Sequence, residues 1–336
     1  MEVVVHFQEK AKRVTLPPGE KNLTFVIPKK VRILSYPSFL VPDPFHPFSF
    51  HLQGDVQERI LLGTMTFLWG KREKFLELVL EVDEVRPSFE NFQLVFPENP
   101  LFPQHGLVLL GPGDYFLRER LSLIPPFHLV GVDGAFIFRQ GEVLRIEGKG
   151  EGLVQGGVFS LQGKASGNVV VVLESRVVFE GCIFRGGVRE KLSWMGNGVV
   201  AARGASLVFR RCVFLENEAA GIFAEEGTTV VVEESVFFNN RGEGIVAKQG
   251  STLVVRRSRF FRNAWGVTCG GLCLFEENEI AENTFGGLCL LRGVEGIFGG
   301  NRISKSPVGV VWHRDRNILW GLGNIVEGNR ISFLEE

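Results

Sequence analysis

The densest grouping of reactive side chains in the sequence is Trp312-His313-Arg314-Asp315-Arg316. An imidazole, a carboxylate and two guanidinium groups could serve as general base, orienting acid and anion clamp. His313, Arg314 and Asp315 are therefore the candidate catalytic residues, and His313 is the only histidine of the C-terminal half. The alternative for the same residues is a charged loop. Arg203, Glu225, Glu226 and Lys248 form a second set of mixed charge and are the candidate ligand-binding residues. Arg203, Glu226 and Gln249 also suit a plain surface salt bridge. His46-x4-His51, flanked by Asp43 and Asp55, has the residue types of a metal site, yet Pro42, Pro44 and Pro47 argue for a surface loop. Cys269-x3-Cys273 with Cys289 could suggest a metal or a redox pair, but the spacing matches no zinc signature. No metal site is predicted. A P-loop, a dinucleotide-binding glycine fingerprint and an HExxH motif are missing, so no cofactor is expected.

What positions these residues is a repeat. Glycines at 198, 221, 244, 266, 287 and 309 each open a similar stretch, at steps of 23, 23, 22, 21 and 22 residues. A period of this size marks a solenoid, whose units bury their apolar faces only against their neighbours. Within a unit the apolar residues alternate, as in Ile245-Val246-Ala247 and Leu253-Val254-Val255. Period two is the strand signature, and no unit carries a helical pattern. Two or three short strands per unit, with glycine at the corners, describe one coil of a parallel β-helix.

Aligned columns give the expected stacking. Phe184, Phe214, Phe237, Phe260, Ile280, Ile303 and Ile331 share an inward column. Asn217, Asn240, Asn263 and Asn283, ending in Ser306, read as an amide ladder inside a turn, because Asn tolerates left-handed backbone and can bond the next amide. Arg210-Arg211, Glu233-Glu234, Arg256-Arg257 and Glu276-Glu277 alternate in sign from coil to coil. That register assigns the four glutamates to a structural ladder rather than to acid catalysis. Cys182 and Cys212 share a column with Ser235, Ser258 and Asn278, and Cys273 aligns with inward Leu207 and Leu253, so buried small residues are expected there. If the residue after each glycine points inward, Val200, Phe223, Val246, Thr268, Cys289 and Val311 point outward. Such an apolar column must be covered. A wider step, from Cys182 to Cys212, marks an insertion at 185–197 containing Trp194 and Met195, the kind of projection that builds binding walls.

Cys212-Val213-Phe214, then Asn217, then Gly221-Ile222, and its copies downstream, resemble the repeat of right-handed parallel β-helix proteins, the pectate-lyase-like superfamily. The resemblance covers roughly residues 105 to 336. It is nearest to carbohydrate-binding and sugar-hydrolase repeats and to those of periplasmic copper-site maturation proteins. Gly111-Pro-Gly-Asp114, Leu121 to Pro125 and Phe127 to Gly131 are similar to the opening coils of such proteins. The resemblance implies a parallel β-helix over 104–336 with coils of about 20–25 residues; ahead of it, the prolines of 1–103 exclude long helices and punctuate short strands, so the chain reads as all-β with a β-rich N-terminal module over 1–103. Within that module Thr64–Trp69 and Phe75–Val85 read as an antiparallel hairpin. Leu16-Pro-Pro-Gly19 through Val31–Leu34 echoes the later opening run, so earlier coils of the same solenoid are the other reading. Superfamily lyases hold Ca²⁺ with carboxylates, and hydrolases cluster two or three of them. The hydrolase motifs NTD, DD, GHG and RIK are absent, Arg302-Ile-Ser304 being a partial echo, as are the lyase motifs WIDH and RxPxxR.

Composition narrows the partners. Lys+Arg at 37 against Asp+Glu at 38 leaves a net charge of -1, so no global field favours nucleic acid or an anionic membrane. With 30 Phe against 2 Tyr, the aromatics suit an interior better than a wet groove. The N-terminal MEVVVHFQEKAKRV does not read as a signal peptide and no apolar run could span a bilayer, which points to the cytoplasm, although a mature secreted form would look the same. The run Ile331-Ser-Phe-Leu-Glu-Glu336 carries no capping helix, and an uncovered strand edge invites a homo-oligomer. Two function classes stand: a non-catalytic binding or structural module with a carbohydrate ligand, and a polysaccharide lyase or glycoside hydrolase.

Overall fold

A computed structural model describes residues 93–335 with their side chains, save 98, 99, 101, 132–134, 164, 190–194 and 314–317. Ahead of these it describes the backbone of the strands between Val3 and Phe92. Strands of residues 1–85 form two four-stranded sheets among themselves, and Ile60–Trp69 pairs antiparallel with Arg72–Val82. Every described strand from Phe92 onward belongs to one of three parallel sheets. Sheet I, ten strands from Leu121–Leu123 to Ile331–Glu335, contains the glycine-led strands. Sheet II has eleven, from Phe92–Val95 to Asn317–Trp320, and sheet III ten, from Gly113–Phe116 to Ile325–Glu327. The chain visits I, II and III in turn and winds as a right-handed parallel β-solenoid, the hand that parallel crossovers favour.

Alternation decides which residues enter the core. The residues after the leading glycines, Val199, Ile222, Ile245, Val267, Leu288 and Val310, are all fully buried. Phe184, Phe214, Phe237 and Phe260 pair in register on sheet III. The rings of Phe214, Phe237 and Phe260 stack 4.5 Å apart, at 2° and then 6° to one another. That spacing is imposed by the coils, because in-register strands lie about 4.8 Å apart. Phe179 and Phe209 of sheet II stack beside them and present their edges, at 85° to Phe184 and 78° to Phe214. Edge-to-face packing is the geometry that the ring quadrupoles favour. The column closes on Val326 rather than Ile331. Ile303 pairs with Val326, whereas Ile331 lies in sheet I opposite Val308 and is exposed.

The leading glycines are required by proximity. A Cβ on Gly221 would sit 2.7 Å from the carbonyl oxygen of Gly244 and 2.8 Å from the ring of Phe237. Gly198, Gly244, Gly266 and Gly287 face the next glycine's carbonyl in the same way. The repeat's most visible residue is the one that lets successive coils close against the phenylalanine stack.

Two buried ladders hold the corners. At the III-to-I corner, Asn240 Oδ1 accepts from the amide (3.2 Å) and Nδ2 (2.9 Å) of Asn217. Its own Nδ2 donates to Asn263 Oδ1 (2.8 Å) and to the Phe214 carbonyl (3.2 Å). The left-handed residue here is the one before each ladder position. Glu216, Asn239, Arg262, Glu282 and Lys305 have φ between 54° and 57°, and the ladder asparagines do not. The reversal at that preceding residue turns the amide into the coil. The second ladder lies at the II-to-III corner and extends further than expected. The backbone N–H groups of Cys212, Ser235, Ser258, Asn278 and Asn301 each donate to the side chain one coil on, the last of them Asn324.

The charged pairs divide into two unequal columns. Arg210 lies between Glu180 (3.6 Å) and Glu233 (3.1 Å), and Arg256 between Glu233 (3.3 Å) and Glu276 (3.2 Å). Gln155 and His128 extend this line through amide and imidazole bonds of 2.8 and 2.7 Å. The second members, Arg211, Glu234, Arg257 and Glu277, are exposed left-handed corner residues with φ of 46–56°. Among them Arg257 reaches Glu234 at 3.4 Å. The eight charges are thus one half-buried ladder, with Arg256 buried at its centre, and one exposed fringe.

The Arg256 side chain is 3 % exposed and that of Arg257 47 %. Removing one partner of a buried pair strands its carboxylates, at about 3–5 kcal/mol, whereas an exposed pair is worth about 0–1 kcal/mol. Arg256→Ala should lower unfolding stability in urea by about 3 kcal/mol, with Arg257→Ala within about 0.5 kcal/mol of wild type. Equal losses would make the two columns equivalent. For Glu233, burial raises the carboxyl pKa, but hydrogen bonds and charge from Arg210 and Arg256 outweigh it and leave the value below the ordinary one. A lowered folded-state pKa gives stability that is present above the unfolded value, about 4.3, and lost as pH falls through the folded one. Wild type should therefore lose its advantage over Glu233→Gln as the pH is taken from neutrality to below the unfolded value of about 4.3. A constant difference in melting temperature across that range would contradict the ladder's role.

Candidate functional site

The expected candidates fall in three places. His313 follows the sheet I strand Val308–Trp312 and is half-buried, while Arg314 and Asp315 lie outside the described residues. His46, His51, Asp43 and Asp55 have no described side chains either. Arg203, Glu225, Glu226 and Lys248 stand around successive I-to-II corners. Arg203 pairs with Glu147 at 3.5 Å, and Lys248 carries its ammonium 5.0 Å above the ring of Phe223. Arg203 and Lys248 thus engage different neighbours, Glu147 two coils back and Phe223 on the adjacent coil.

The outward column of sheet I covers itself in part. Val171, Leu173, Val200, Ala202 and Phe223 form a small buried cluster with Val246 against it, and the Lys248 ammonium stands over Phe223. Further along, Thr268 and Cys289 are half-buried. Cys269 and Cys273 point inward and form a disulfide, with Cα atoms 6.9 Å apart. Cys289 is the register partner of Thr268 and so points to the opposite face from Cys269. The three cysteines therefore do not converge as a metal site would require. Among the described residues no group of three His, Cys, Asp or Glu side chains could hold a metal ion.

Sheet III carries a recess on its outer face. Its outward column reads Leu215, Phe238, Phe261, Ala281, Ser304 and Glu327 in register. The step from Phe261 to Ala281 leaves a notch of about 300 Å³, lined by Phe238, Phe261, Arg259, Arg262, Glu279 and Glu282 among others. Phe238 and Phe261 sit side by side, their centroids 4.8 Å apart and their planes at 40°. The Arg259 guanidinium lies 5.5 Å from the Phe261 centroid and that of Arg262 5.8 Å from Phe238, within cation–π range. Glu279 accepts from Arg259 Nε at 2.8 Å, and Glu282 lies 3.7 Å from Arg262 and 3.8 Å from Lys305.

Sequence reasoning followed the glycine-led face and passed over this one. The signal was the doublets Phe237-Phe238 and Phe260-Phe261. In a strand of period two, one ring of each doublet must face outward. Chemically, the notch offers two half-buried aromatic rings and a rim of donors and acceptors, with arginines balancing the carboxylates. Glu279 and Glu282 bond to cations, so they form no pair of uncommitted carboxyl groups of the sort glycoside hydrolysis needs.

Residues 140–271 match the family model described as the right handed beta helix region. Among solved structures, the chain is similar to the A-module of the Azotobacter vinelandii mannuronan C-5 epimerase AlgE4. The identity is 15%, over 69% of this chain and 83% of that one, with a TM-score of 0.48. It is also similar to pectate lyase Pel9A, at 14% identity over 70% and 81% of the two chains and a TM-score of 0.32. Dex49A from Penicillium minioluteum aligns at 8% identity over 88% and 71%, with a TM-score of 0.24. No curated protein matches the sequence. Identities and TM-scores at this level carry no activity over to the chain.

Proposed function

We propose that this chain is a non-catalytic carbohydrate-binding module whose ligand seats on the outer face of sheet III. The observation behind the reading is the Phe238–Phe261 pair beside the Ala281 notch, with Arg259, Arg262, Glu279 and Glu282 at its rim. The C–H face of a pyranose carries partial positive charge and packs on the negative face of an aromatic ring. Its hydroxyls both donate and accept, which a rim of paired arginines and glutamates can answer at once. A few polar groups around an apolar floor is the composition of a small-molecule site. The zero net charge of those four rim residues favours a neutral sugar over a polyanion.

Calorimetry against neutral and acidic oligosaccharides tests this directly. A neutral oligosaccharide should bind, and Phe261→Ala should weaken it at least about tenfold, equivalent to about 1.4 kcal/mol, with the melting temperature little changed. The same oligosaccharides, incubated with and without Ca²⁺, should yield no unsaturated products and no new reducing ends. Turnover that vanishes in His313→Ala or Glu225→Ala would replace this reading with that of a lyase or hydrolase. Absence of binding across the panel would end it.

A further inference from the structure

We propose that Cys182 and Cys212 form an oxidative cross-linking site that ties together the two coils on either side of the 185–197 insertion. The two residues hold equivalent corner positions on adjacent coils. Glu180 pairs with Arg210 before them and Ile183 with Val213 after them, so the register sets the cysteines opposite one another. In-register parallel neighbours lie about 4.8 Å apart, inside the Cα separation of roughly 4.4–6.8 Å that a disulfide spans. Both side chains are fully buried. Cys182 Sγ also contacts the Gly156 and Glu180 carbonyls at 3.3 and 3.4 Å, and Cys212 Sγ those of Phe179 and Arg210 at 3.4 Å each.

The surrounding ladder shows why this rung differs from the others. Oxygen serves as acceptor where Ser235 Oγ takes the Cys212 amide (3.0 Å) and Ser258 Oγ the Ser235 amide (3.1 Å). Between Cys182 and Cys212 the side chains are both sulfur, a poor acceptor but an oxidisable pair. Burial keeps the Cys182 thiol well above its ordinary pKa, so the pair is inert in the closed coil and reacts when the coil opens. The oxidant class is a hydroperoxide. One thiolate attacks the peroxide O–O bond, giving a sulfenic acid and, with hydrogen peroxide, hydroxide. The second thiol then displaces the sulfenic hydroxyl as water and forms the S–S bond. In sum, two thiols and one hydrogen peroxide give one disulfide and two waters. The bond encloses the whole insertion between its ends.

The test is peptide mapping by mass spectrometry after hydrogen peroxide treatment in low urea, under non-reducing conditions. The expected product is a Cys182–Cys212 linked peptide pair, two hydrogen masses below the reduced peptides. The oxidised protein should also melt higher than the dithiothreitol-reduced one. Cys212→Ser should abolish both effects while remaining folded, since serine already fills this column at 235 and 258. Cys289→Ser should leave both unchanged. Recovery of Cys182 and Cys212 unlinked, with Cys289 oxidised in the same sample, would overturn the proposal. So would a link from either residue to a different cysteine.

Discussion

Each coil of this chain can satisfy its strand backbone only against the coils above and below, at a spacing of about 4.8 Å. Every position on a coil must therefore tolerate a copy of itself at that distance. Phenylalanine meets the condition by stacking, as Phe214, Phe237 and Phe260 do. Asparagine meets it because an amide is donor and acceptor at once, so Asn217, Asn240 and Asn263 chain without a leftover group. A charge cannot meet it at all, and arginine must alternate with glutamate. Glycine at 221 and 244 meets it by having no side chain to collide.

The same condition explains the backbone. Left-handed residues recur in columns, and glycine stands at the ends of those columns, at 181 and 300 beside the fringe and at 186 and 328 beside the asparagine ladder. Between them, Glu, Arg, Asn and Lys hold a conformation that costs roughly 1–2 kcal/mol per residue. The two corner ladders offset that cost by satisfying buried amides that would otherwise go unbonded. Loss of ladder bonds would leave the corner strained without compensation.

Columns that must match themselves are what a sequence displays most openly, so the solenoid, its inward parity and the charge ladder were legible from spacing. The inward placing of Val199 and Ile222 followed from alternation alone. Less was visible where a column changes character. Ile331 was placed with the phenylalanines because nothing in its identity distinguishes it from Val326, and only pairing does. The asparagines suggested left-handed backbone by type, whereas the strain falls on Glu216 and Arg262, whose types give no hint of it. The sheet III notch depends on Phe261 being followed by Ala281 one coil later, a break in a column rather than a repeat. Recesses in a solenoid arise at such breaks, which period-finding is built to overlook.

The alternating ladder has a further consequence for how this chain can change length. Glu180, Arg210, Glu233, Arg256 and Glu276 confer a parity on the stack. Excising a single coil, such as the one carrying Glu233, would bring Arg210 against Arg256 in a mostly buried line. Excising two neighbouring coils, those of Glu233 and Arg256, would instead bring Arg210 against Glu276 and keep every contact attractive. Within this part of the solenoid, only the removal of an even number of coils keeps the ladder attractive, and the electrostatic repeat is twice the structural one.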